Sequence, residues 1–127
     1  MLAYSDPGEA YRRSEVDARI RSARPEQLVI MCCEQVALGI GSAIAAELRG
    51  DRTARSKGLT RALSALTALE MGVDRNQPLA DVLTNMYANA KRAILDNVVH
   101  FERATLDQVR SDFDELSQVF ASLKDSA

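Results

Sequence analysis

Hydrophobic residues in this chain recur with a helical period almost throughout. Leu59, Ala62, Leu63, Leu66, Leu69 and Val73 form one i, i+3, i+4 ladder. Leu79, Val82, Leu83, Met86, Tyr87, Ala90, Ile94, Val98 and Phe101 form the clearest one, and Leu106, Val109, Phe113, Leu116, Val119, Phe120 and Leu123 a third. These ladders predict helices from about Asp51 or Thr53 to Gly72, from Pro78 to about Phe101, and from Arg103 to Leu123, with "VDRNQP" as a loop. Before them, Ser22 reads as an N-cap, Pro25 as a first-turn residue and Gly50 as a C-terminal glycine, which predicts a helix over 25–49. A short helix over 9–20, with Tyr11, Val16 and Ile20, precedes it. Four long amphipathic helices with short connections predict an all-α, antiparallel four-helix bundle, with the additional short N-terminal helix packed outside. The whole of 1–127 reads as one helical domain, with an N-terminal segment over 1–22 and the bundle over 23–123.

The helix over 25–49 breaks the pattern by being apolar nearly all round. From Leu28 to Ala46 its only polar side chains are Glu34, Gln35 and Ser42. Val29, Cys33, Val36, Ile40 and Ile44 make one stripe; Leu28, Met31, Leu38 and Ala45 lie well away from it, and Ile30 and Ala37 occupy a third sector. Such a helix must be buried on more than one side. Nineteen largely apolar residues are long enough to span a membrane. A carboxylate near mid-bilayer costs about 3 kcal/mol, however, and Glu34 sits inside the run. Two compatible alternatives are left: the helix is the centre of the bundle core, or one face joins the core while another borders a groove that a partner fills. In the helix over 78–101, Leu95 and Val99 lie off the main stripe and become informative if they border the same groove.

Composition narrows the classes of function. The chain of 127 residues is 46% hydrophobic and 27% charged, as a soluble globular protein is. A net charge of −2, 5% aromatics and no Trp give nucleic-acid binding no footprint. The start "MLAYSDPGEAYRR" lacks the basic and apolar regions of a signal peptide, so the chain reads as cytoplasmic.

Three features of the chain could carry chemistry. The only cysteines, Cys32 and Cys33, are adjacent; a bond between neighbours would distort a regular helix, and CxxC redox spacing is absent. Zinc needs about four ligands, and His100 is the single histidine. Its context, "VVHFERA", supplies neither the Glu-x-x-His of a di-iron bundle nor a phosphotransfer pattern. The carboxylates Asp112, Asp114 and Glu115 read as a solvated face. No catalytic, cofactor or metal constellation emerges, and the cysteines read as packing.

The collinear motifs point elsewhere. "AYRRSEVDARIRSARPEQLVIMCCEQV" resembles the N-terminal signature of the flagellin export chaperones, the FliS family, through Tyr11, Val16, Ser22, Pro25, Leu28, Val29, Met31 and Glu34. "RALSALTALEMGVD" and "LADVLTNMYANAKRAIL" resemble later family stretches through Ala62, Leu66, Leu69, Val73 and Asp74, then Leu79, Ala80, Leu83, Met86, Tyr87, Arg92 and Ile94. The chain departs from the family at Cys32–Cys33, where relatives carry a bulky pair, at Gln35 for Gly, at Asn89 for an aromatic, and in lacking a terminal Trp.

The resemblance implies a non-enzymatic cytoplasmic bundle without cofactors. It would bind the C-terminal segment of flagellin, block premature polymerisation and deliver the subunit to a flagellar export gate protein. The residues expected to form the flagellin groove and its N-terminal cap are Tyr11, Val16, Leu28, Met31, Cys32, Gln35, Leu38, Tyr87, Leu95 and Val99. The family suggests that the segment over 1–22 is a mobile cap that the client displaces. The residues alone also fit an adaptor bundle that self-associates or takes another helical partner; a monomer or weak homodimer is expected.

Overall fold

The computed structural model describes residues 24–125. They form four helices: α1 (Pro25–Arg49), α2 (Arg52–Met71), α3 (Ala80–Val99) and α4 (Arg103–Asp125). The bundle is all-α, as the periodicity predicts. The short helix expected over 9–20, and Ser22, lie outside the described residues. Arg24 is the residue that caps α1: its backbone is extended and its N–H donates to Gln27 Oε1 at 2.9 Å.

The connections follow from local chemistry. Gly50 takes φ +73°, and the N–H groups of Gly50 and Asp51 close back on the carbonyls of Glu47 and Ala46 at 3.0 and 2.9 Å, a Schellman ending. Asp51 then opens α2 by accepting from the Ala54 N–H at 3.0 Å. Two residues thereby reverse the chain. α3 starts at Ala80, two residues later than Pro78, because Asp74 organises the loop as a turn: its carboxylate accepts from Asn76 N–H, and its carbonyl from Gln77 N–H, both at 3.0 Å. α3 stops at Val99, short of Phe101. His100 is extended, and the buried Asn97 fixes the corner: its Nδ2 donates to Ala93 O at 2.8 Å and its Oδ1 accepts from Glu102 N–H at 2.6 Å.

α1 packs against α2 along its length and against α4 on its other side; α3 lies on α2 and touches α4 only lightly. The α1–α2 seam is the closest approach. A Cβ placed on Gly39 would stand 2.6 Å from Gly58 O and 2.9 Å from Ala62 N; one placed on Gly58 would stand 2.6 Å from Gly39 O and 2.8 Å from Ala43 N. The two backbones therefore touch, and Ala43 and Ala62 are fully buried beside the glycines. Side chains pin the seam at both levels, Arg55 to Glu47 at 2.6 Å and Arg61 Nε to Gln35 Oε1 at 2.6 Å, while Lys91 to Glu70 at 2.8 Å ties α3 to α2.

The stripe predicted for α1 is the core: Cys33, Val36, Ile40 and Ile44 are buried together with Leu59, Leu66, Tyr87, Ile94, Leu106 and Phe113. α1 is the one described helix long and apolar enough to cross a membrane. The fold gives that excess another use, since one side of the helix meets α2 and another meets α4.

The seam generates a contrast between glycines. Gly39→Ala and Gly58→Ala should each destabilise the protein by about 1–3 kcal/mol in urea unfolding, because the added methyl meets backbone that cannot give way. Gly41→Ala places its methyl 3.5 Å from the Arg110 guanidinium and should be neutral or stabilising by up to about 1 kcal/mol through helix propensity.

Candidate partner-binding groove

The light contact between α3 and α4 leaves an open groove of about 610 Å³. α3 contributes Val82, Met86, Ala90 and Ala93, a stripe at i, i+4, i+8 and i+11 that lies on one helical face. α4 contributes Val109 and Phe113 to the floor. Asn85 and Asn89 line the α3 wall, and Thr105, Gln108 and Asp112 the α4 wall. Gln108 Nε2 donates to Asp112 Oδ1 at 2.8 Å, so the one lining carboxylate already has a partner on its own helix.

Sequence explains why the groove stays open. Ala90 and Ala93 are too short to reach across to α4, while α3 is drawn toward α2 by Lys91–Glu70 and by the core around Leu66 and Ile94. The apolar surface continues beyond the groove. Val119 is seven residues after Asp112 and so shares the groove side of α4, and Leu79 caps the start of α3 just before Val82. Both are exposed, and Val82 is 62% exposed although it belongs to the predicted core stripe. Periodicity places these residues on one face; only the packing shows that α4 does not cover it.

The residues nominated from the sequence are not gathered into this groove. Tyr11 and Val16 lie outside the described residues. Leu28, Met31, Cys32 and Gln35 are half-buried along α1, with Gln35 engaged by Arg61, and Leu38 is 53% exposed on the outer side of α1. Tyr87 requires a correction: it is a core residue, 2% exposed, with its ring 6.1 Å from that of Phe113. It supports the groove from beneath rather than offering a contact. Leu95 and Val99 are exposed as expected, but Leu95 follows Ala93 by two residues, about 200° round the helix, and so looks away from α4.

The missed residues did leave a signal: Asn85 and Asn89, four apart, flank an apolar stripe on one side only.

The cysteines behave as packing. Burial pushes the Cys33 thiol up to about 12, with Cys32, Glu34 and Asp114 adding in the same direction, and burial also raises Cys32. Burial likewise lifts the Tyr87 hydroxyl to about 12, helped by Cys33 and Cys32. Such thiols are poor nucleophiles near neutrality. No group of His, Cys, Asp and Glu among the described residues is arranged to hold a metal ion.

Among known families, the model of the flagellar protein FliS matches residues 7–127. Comparison with curated proteins finds no match.

The buried thiol and phenol set an alkaline limit on stability. Unfolded, these groups ionise from their ordinary values of 9.0 and 10.0; folded, they hold their protons to about 12. The unfolded chain then binds fewer protons than the native one, so stability should hold up to about pH 9 and fall as pH rises toward 12. Urea unfolding across that range checks it, and Cys33→Ala should remove the first part of the loss.

Proposed function

The chain belongs to the family of the flagellar protein FliS, a family of flagellar export chaperones for flagellin, and from that membership we propose that its α3–α4 groove holds the C-terminal segment of a flagellin. The observation that carries this reading is an open apolar groove in a helical bundle matched by the family over nearly its whole length.

A polymer-forming terminal segment kept from assembling must have its apolar side covered, and that side is what a groove between two helices accepts. An unfolded segment that becomes helical on binding incurs an ordering cost of about 2–5 kcal/mol, which burial of its apolar stripe on Val82, Met86, Val109 and Phe113 offsets. Masking that stripe blocks polymerisation until release at the export gate. Met86 suits a surface that adapts to its client.

The remaining sites follow in the same proposal. Residues Tyr11 and Val16 cover apolar surface while no client is bound and are displaced by it. Met31 and Leu38, on the outer side of α1, extend the client contact. Leu95 and Val99, turned away from the groove, stay available to the export gate protein while the client is held. The protein acts in the cytoplasm and carries out no catalysis.

Titration calorimetry with a flagellin C-terminal segment from the same organism should give a one-to-one complex with a negative heat-capacity change. Val82→Asp should weaken it by about tenfold or more, since a carboxylate would be buried against apolar surface without a partner. Leu95→Asp should leave affinity within about twofold. Absence of binding at tens of micromolar, with a dimer by light scattering that occludes the groove, would instead identify a self-associating adaptor.

A further inference from the structure

Charge is unevenly shared among the four helices. α2 carries Arg52, Arg55, Lys57 and Arg61 against the single acid Glu70, although the chain as a whole has a net charge of −2. Its outer face is made of Thr53, Lys57, Thr60, Arg61 and Ser64, all exposed, which recur at i, i+4, i+7, i+8 and i+11. Folding gains little from these cations. Arg52 stands in the first turn, where a positive charge opposes the helix macrodipole, and Lys57 and Arg61 are like charges one turn apart.

The acids around this face are committed elsewhere: Glu47 to Arg55, Glu70 to Lys91, and Asp51 to the Ala54 N–H and, at 3.9 Å, to Arg49. Glu34 is exposed on α1, about 100° round that helix from Gln35 and away from α2. Among the described residues, neither Lys57 nor Arg61 has a carboxylate within ion-pair distance. Arg61 is nevertheless held in place, because its Nε donates to Gln35 Oε1 at 2.6 Å. A neutral acceptor fixes the guanidinium without cancelling its charge and leaves its two terminal nitrogens for a carboxylate.

We propose that the outer face of α2 docks an acidic helix of a second protein, one that carries carboxylates at i and i+4 to meet Lys57 and Arg61. The short side chains of Thr53, Thr60 and Ser64 let such a helix lie close over about 17 Å, and their hydroxyls donate to its carboxylates. Carboxylates of a protein fit this face better than a lipid surface does. Between Thr53 and Ser64 it exposes no apolar side chain to insert among acyl chains, which interfacial binding requires. α2 packs on α1 and α3 and contributes no residue to the α3–α4 groove, so the acidic helix and the occupant of the groove are bound at the same time. The inference therefore does not depend on what fills the groove.

NMR titration of the full-length, isotope-labelled protein tests this with three synthetic helical peptides that differ only in bearing Glu, Gln or Lys at the paired i, i+4 positions. The Glu peptide should shift the amides from Thr53 to Ser64 and leave those of Val82, Met86 and Val109 in place. Its affinity should fall at least about fivefold between about 50 mM and about 500 mM NaCl, because exposed charge pairs are screened by salt. The Gln peptide should bind at least about tenfold more weakly. The double variant Lys57→Glu, Arg61→Glu alters two exposed side chains and should keep the helical circular dichroism; it should lose the Glu peptide and take up the Lys peptide instead. Equal binding of the Glu and Gln peptides, a Glu peptide that shifts the groove residues, or a double variant that still binds it would overturn the inference. So would a protein that shows no shift with the Glu peptide at millimolar concentration but sediments with phosphatidylserine vesicles. Each of these failures would leave the flagellin reading of the groove intact.

Discussion

The contact of Gly39 with Gly58 governs how this bundle is laid out. Two helices whose backbones touch need a residue without a side chain at the crossing, and here each helix supplies one, followed four residues later by alanine: Gly39 and Ala43 on α1, Gly58 and Ala62 on α2. With α2 held so close, α1 has one side committed, and its adjacent sector of Cys33, Val36, Ile40 and Ile44 becomes the core that α4 helps to close. Arg55 reinforces the arrangement at the far end, bonding Glu47 of α1 while lying 5.9 Å over the Phe101 ring beyond α3.

The open groove is a consequence of that layout. α3 is fastened to α2, with Lys91–Glu70 across that contact, and α4 is fastened to α1. Each of the two outer helices has a firm neighbour, and between them stand short side chains, Ala90 and Ala93, that do not close the gap. Hydrophobic surface left uncovered in this way is a standing cost in water and an advantage to a protein that must accept an apolar segment. The close α1–α2 seam and the open α3–α4 groove thus lie on different pairs of helices.

The chemistry of the cysteines fits the same division. Cys33 is 1% exposed in the core, its thiol held protonated by burial, and Cys32 is half-buried beside it. Small, soft side chains at these positions let α1 pack closely where a bulkier pair would push its neighbours apart. Their value to the protein is volume.

Local sequence determined every described helix. The bounds of α1 follow from Pro25 and Gly50, and those of α2 from Asp51 and Gly72, because caps and breakers act within a few residues of where they stand. The α3 start moved only because Asp74 drew the next residues into a turn. Periodicity also assigned the faces, since Val82 and Tyr87 both fall on the apolar side of α3. It could not separate them: Tyr87 is buried against Phe113 and Val82 stands open to solvent, and that difference depends on how near α4 comes. The Gly-x-x-x-Ala pairs were legible too, but that Gly39 and Gly58 would meet each other is a fact of register between two helices, decided by the packing as a whole. Family kinship was readable in the order of the motifs. The α3–α4 groove was not, because a groove is made by what fails to touch, and a one-dimensional pattern records only what could.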